Sequence, residues 1–132
     1  MEFQRIYRHL RPGHRYSGAR TTIISTGSEV EIALEAKKSL QEIGINAAVV
    51  SLPSWHLFDE QDTVYKEYVL GSGLRVGIEA AVEMGWQKYI GENGEFIGMT
   101  SFGASGPASE LYKHFGITSE NVVKKVKKRL KM

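Results

Sequence analysis

The sequence predicts an α/β fold, a three-layer α/β/α sandwich with a mostly parallel sheet, and three observations carry that prediction. Short β-branched runs alternate with amphipathic helical stretches from Thr21 onward. Glycine and proline punctuate the alternation where one element should give way to the next. The first strand, helix and strand fit within about thirty residues, the length of one βαβ unit, whose crossover is right-handed.

Residues 1–20 show no clean period and contain the breaker Arg11-Pro12-Gly13, so they read as a linker or appended, poorly ordered segment, with the domain at 21–132. Thr21 to Ser25 is a β-branched strand closed by Thr26-Gly27. Ser28 and Glu31 then offer a capping box for a helix running to about Ile43 and ended by Gly44. Ile45 to Val50 is a second buried-type strand, stopped by Ser51-Leu52-Pro53. Ser54 to Leu70 gives short helical pieces, with Asp59, Glu60 and Asp62 toward water and Trp55, Leu57, Phe58, Val64, Tyr65, Tyr68 and Val69 available for packing. Leu74 to Glu79 is a third strand, and Val82 to Ile90 a helix that contains Gly85-Trp86. Glu95 to Met99 is a fourth strand. Pro107 suits the first turn of a helix from Ala108 to Phe115, because its missing amide hydrogen has no partner to lose there. Thr118 or Ser119 caps the last helix.

With 132 residues, 42% of them hydrophobic, the chain holds enough apolar material for one core and not for two. The absence of cysteine excludes disulfides, thiolate zinc and iron-sulfur sites and a cysteine nucleophile. No apolar run approaches the roughly 18 residues of a membrane span, and the first residues lack a signal-peptide core, so a cytoplasmic setting is expected. Charge is segregated. Residues 1–20 carry five Arg against Glu2, and 119–132 carry five Lys and Arg129 against Glu120, whereas 21–118 hold thirteen acidic residues against six basic ones. An acidic body repels phosphates, so neither a nucleic acid nor a membrane is an expected partner. The lysines are read as the wet face of a terminal helix whose apolar stripe is Val122, Val123, Val126 and Leu130.

Candidate chemistry is thin. Gly71-Ser72-Gly73 precedes a strand instead of opening a helix, and is read as a turn. Thr26-Gly27-Ser28 lacks the further glycines of a dinucleotide loop. The stretch Ser101 to Pro107 is the better anion candidate, with Gly103, Ala104, Ser105 and Gly106 directed at a helix N-terminus. The four histidines have no metal-ligand spacing. His56 and Asp59, three apart, resemble an acid/base couple in residue type alone. Trp86, Tyr89 and Ile90 share a helix face, which implies core or subunit-interface packing; Gly85, Trp86 and Tyr89 are the candidate interface.

Four segments, TTIISTGSEVEIALEA, VVSLPSWHLFDEQD, VGIEAAVEMGWQKYIG and SFGASGPASELYKHFGIT, resemble the C-terminal domain of transketolases from Thr21 to about Leu130. The resemblance is closer than to the deoxyxylulose-phosphate synthases or the 2-oxoacid dehydrogenase β chains. It implies a five-stranded mixed sheet with one antiparallel edge strand. It also implies a parent enzyme of the pentose phosphate pathway that moves a two-carbon ketol unit between sugar phosphates, using thiamine diphosphate and a divalent metal, Mg2+. In the family those groups are held by upstream domains through a GDG-type loop and an activating glutamate. Neither is matched here, so no catalytic, cofactor-binding or metal-ligating residue is assigned. The chain is expected to be structural or dimer-supporting, partnered by upstream thiamine-binding domains and possibly by a second copy. The alternative is a free-standing regulatory module that holds an anion or nucleotide at its strand-to-helix loops.

Overall fold

A computed structural model describes residues 7–9, 21–25, 29–52, 55–79, 85–98 and 112–131. Its strands are β1 (Tyr7–His9), β2 (Thr21–Ser25), β3 (Ala47–Ser51), β4 (Leu74–Ile78) and β5 (Glu95–Ile97). Its helices are α1 (Val30–Glu42), α2 (Trp55–Asp59), α3 (Thr63–Leu70), α4 (Gln87–Ile90) and α5 (Ser119–Arg129). The strands form one sheet in the order β1-β3-β2-β4-β5, parallel throughout except for β1, which runs antiparallel to β3.

Because successive strand side chains point to opposite faces, the parallel strands feed both layers. Ile23, Val49, Val76, Ile78 and Ile97 pack with Ala33, Ala36 and Leu40 of α1 and with Val122 and Val126 of α5. Ile24 and Val50 turn the other way, onto Phe58, Val69, Leu70, Trp86, Tyr89 and Ile90. Small residues on α1 bring that helix close to the sheet. On the opposite face Gly77 does the same service for an aromatic ring: a Cβ there would stand 2.6 Å from Cε3 of Trp86.

Four of the five strands lie where the β-branched runs place them, and the fifth comes from the segment read as a linker. Tyr7, Arg8 and His9 pair with Ser51, Val50 and Val49. Three residues are too few to display a period, which is why the strand is invisible in the sequence. One helix assignment is also corrected, and another rests on an undescribed residue. The capping-box reading rests on Ser28, which lies outside the described residues; the described residue preceding α1 is Glu29, which makes no side-chain cap bond. The Glu29 carboxylate instead accepts from the hydroxyl of Tyr112 at 3.3 Å. Gly85 is not in a helix interior. It has a left-handed φ of +83° in the turn before α4, a conformation that L side chains rarely adopt. Thr118 does cap α5, accepting from the amide of Asn121 at 3.2 Å. The helix expected over Ala108 to Phe115 is described only from Tyr112 to His114.

Candidate functional site

In open parallel sheets the connections leaving the carboxyl ends of the strands carry ligand chemistry, above all where successive connections diverge to opposite faces. Here α1 follows β2 on one face and α4 follows β4 on the other. β2 and β4 are neighbours, so their carboxyl ends flank that point. The described charged residues nearest it in the chain are Glu29, which leads into α1, and Glu79, which leaves β4 and donates its amide to the carbonyl of Ile97 at 3.2 Å.

Both carboxylates hold aromatic side chains. Glu79 Oε2 accepts from the indole Nε1 of Trp86 at 3.0 Å. Glu29, only 4% exposed, accepts from Tyr112. A third carboxylate repeats the pattern below them: Asp59 accepts from the hydroxyl of Tyr89 at 3.0 Å and from Nζ of Lys88 at 2.7 Å. Burial by itself would raise the Asp59 carboxyl, but the Lys88 and Tyr89 hydrogen bonds and nearby lysine charge outweigh it and hold it below the usual carboxylate range. Tyr89 moves the other way, pushed well above an ordinary phenol first by burial and then by the adjacent Asp59.

The rings form one cluster. Trp55 meets Trp86 edge-on at 5.4 Å between centroids, with planes at 86°, and lies 4.8 Å from Tyr89. Phe96 flanks Trp86 at 5.5 Å. Trp86 has no exposed surface, and Tyr89 has 2%. The candidate interface of Gly85, Trp86 and Tyr89 is thus brought together by the fold, but its two aromatic side chains face inward. Both rings are buried within this chain, because α4 is pressed onto the face of β4 that Gly77 leaves bare.

The remaining candidates separate. Gly103, Ala104, Ser105 and Gly106 lie outside the described residues, as do Thr26, Gly27 and Ser28. Gly71 terminates α3 with φ +75°, in keeping with a turn. His56 does not couple to Asp59. Its Nε2 lies 3.5 Å from Glu60, on the next helical position, and Asp59 is engaged by Lys88 and Tyr89. Glu79 was legible only as the one charged residue closing the strand LRVGIE. Nothing local marked Glu29, and Trp55 was legible only as one of several residues available for packing. A cavity of about 490 Å3 opens at the opposite, amino end of the strands. Its two arginines are already committed: Arg75 donates to the carbonyls of Gly71 and Tyr89, and Arg129 to Glu95 and to the carbonyl of Asn93. Among the described residues no three His, Cys, Asp or Glu side chains gather as metal ligands, and no helix is long and apolar enough to cross a membrane.

Residues 9–118 match the family model of the transketolase-like C-terminal domain. The chain is 56% identical over 103 residues to a transketolase of Sinorhizobium medicae, covering 77% of this chain and 15% of that protein. It is 50% identical over 119 residues to a transketolase of Cereibacter sphaeroides, covering 90% and 18%. The structure of a transketolase from Leishmania mexicana superposes with a TM-score of 0.83 at 38% identity, over 96% of this chain and 18% of that one. The chain therefore spans less than a fifth of the length of these relatives. The family match begins at His9, inside the stretch that carries β1.

Proposed function

Because this chain belongs to the transketolase C-terminal domain family, we propose that it is a structural, dimer-supporting unit of a larger ketol-transferring enzyme and performs no turnover by itself. One observation carries the reading. Three of the described carboxylates, Glu29 and Glu79 beside the carboxyl ends of β2 and β4 and Asp59 at the end of α2, each accept a hydrogen bond from an aromatic side chain. Groups committed in this way set the shape of the domain.

The parent reaction moves a two-carbon ketol unit between sugar phosphates, and thiamine diphosphate with Mg2+ supplies its chemistry. The described residues do not fit that group: they bring together no metal-ligand set, and the sequence has no GDG motif. In this proposal the cofactor belongs to upstream domains, and the role of this chain is to support them and their dimer. The purified chain is assayed with xylulose 5-phosphate and ribose 5-phosphate, and thiamine diphosphate binding is measured by calorimetry. Neither turnover nor binding is expected until upstream thiamine-binding domains are added. Turnover by the chain alone, above a matched blank, overturns the proposal.

A further inference from the structure

We propose that the layer formed by α1 and α5 is a weak interaction surface for a second copy of this chain, in which the acidic outer face of each α1 meets the basic outer face of the other copy's α5.

The two helices lie side by side on one face of the sheet. α1 turns Ala33, Ala36 and Leu40 inward, so the helical period sends Glu31, Glu35, Lys38 and Glu42 outward, at spacings of four, three and four, and all four are exposed. α5 buries Val122 and Val126 and exposes Lys124, Lys127 and Lys128 on its far side, with Glu120 in its first turn. One stripe is mainly acidic and its neighbour mainly basic. Among the described residues no ion pair neutralises Glu31, Glu35, Glu42, Lys124, Lys127 or Lys128. Glu31 with Glu35, and Lys124 with Lys128, are like charges one helical turn apart, an arrangement that weakens a solitary helix and is relieved by opposite charge facing it. Leu34 and Ile43, exposed at 38% and 43%, add apolar surface to the acidic helix, of the kind that the methylene stems of facing lysines cover.

The charges also select the symmetry. α1 ends just before the start of β3, and the last turn of α5 reaches the start of β5, where Arg129 bonds Glu95. Both helices therefore run from the carboxyl to the amino end of the parallel strands, parallel to one another. A two-fold axis lying along the layer, in the direction of the helices, exchanges their places. It sets α1 on the other copy's α5 twice over and closes the assembly at two copies. An axis across the helices sets α1 on α1 and α5 on α5, which like charge opposes.

Two helices roughly 20 Å long and 10 Å wide offer roughly 400 Å2 a side, about half of a standard interface. The contact is therefore weak, and its place is to support a dimer and not to make one. It rests on the dimer-supporting reading only for the presence of a second copy. Turnover assays test that reading and mass measurements test this surface, so each can fail alone.

The test is sedimentation equilibrium of the full chain at up to roughly millimolar concentration. At about 0.01 M salt the average mass is expected to rise from the 14.8 kDa of one chain toward twice that value, and at about 0.15 M salt the association should weaken several-fold. One variant carries Lys124→Glu, Lys127→Glu and Lys128→Glu, and a second carries Glu31→Lys, Glu35→Lys and Glu42→Lys. Each alone should stay at the single mass, and an equal mixture should associate at least as tightly as the parent chain, because both contacts are then complementary. A control with Glu60→Lys, Glu67→Lys and Glu92→Lys has the net charge of the second variant but keeps the acidic α1; those three glutamates are exposed on or beside the helices of the opposite layer. Mixed with the first variant, it should associate at least tenfold more weakly than the reversed pair. A parent chain that stays at the single mass, or associates equally at both salts, overturns the proposal, and this arm decides the matter where a variant does not fold. A folded reversed pair that does not associate, or a control pair as tight as the reversed pair, overturns it as well.

Discussion

A β-carbon on Gly85 would stand 2.7 Å from Cζ3 of Trp55, so the left-handed turn before α4 and the indole at the start of α2 occupy adjoining space that no other residue type leaves free. The glycine answers two demands at once, a backbone angle and a ring contact, and substitution can separate them.

Gly91 supplies the comparison, since it too has a positive φ, of +77°, with nothing within 4 Å of its would-be β-carbon. Gly91→Ala is expected to cost about 1–2 kcal/mol, the left-handed strain alone. Gly85→Ala adds overpacking against Trp55 and should cost about 1–3 kcal/mol more. Urea unfolding of both variants reads the difference, and equal losses would show that the Trp55 contact relaxes freely.

Trp86→Phe removes the indole donor to Glu79 and leaves a void against Gly77 and Phe96. A destabilisation of about 2–4 kcal/mol is expected from the lost bond and the cavity together. The variant should keep its far-ultraviolet circular dichroism while its unfolding midpoint falls.

Asp59 and Tyr89 give the pH dependence a direction at each end. The folded Asp59 carboxyl lies below its ordinary value, so the unfolded chain binds the proton first as pH drops. Its contribution is complete above about pH 4 and is lost as pH falls through the folded value. With Asp59 on the surface, the loss is sized like an exposed ion pair, about 0.5 kcal/mol. Tyr89 is raised, so above about pH 10 the unfolded phenol ionises first and stability declines. Urea midpoints across pH for the parent chain and Asp59→Asn should differ at both ends, because a neutral amide in place of the carboxylate neither binds that proton nor holds Tyr89 up by its charge.

Thr118→Ala removes the cap of α5 and should cost about 1 kcal/mol, with Thr118→Ser restoring most of it. Hydrogen exchange locates the effect: the amide of Asn121 and the first turn of α5 should lose protection before β2 does.

The alternation of β-branched runs with helical stretches was legible because it follows from burial. TTIIS and AAVVS are buried along nearly all of their length, and a strand covered on both faces reads as a continuous run of small and β-branched residues without charge. Glycines at 44, 71, 91 and 116 marked turns, since each has a positive φ. β1 was not legible because YRH owes its strand to the neighbouring edge and not to its own propensity. The site was legible in part. Trp86 and Tyr89 were visible as one apolar stripe, but their inward direction depends on Gly77, upstream on a different element.

By itself the sequence determined the fold class, the order of the parallel strands' runs along the chain, the start of α5 to within one residue and the resemblance that the family match bears out. These are local or cumulative properties, carried by periodicity, by turn chemistry and by runs of identical residues. Only the tertiary structure decided which carboxylate meets which ring. Glu79 with Trp86, Asp59 with Tyr89 and Glu29 with Tyr112 are separated by 7, 30 and 83 positions. A hydrogen bond is specified by distance and angle in space, and those are set by how α1, α2 and α4 pack on the two faces of the sheet.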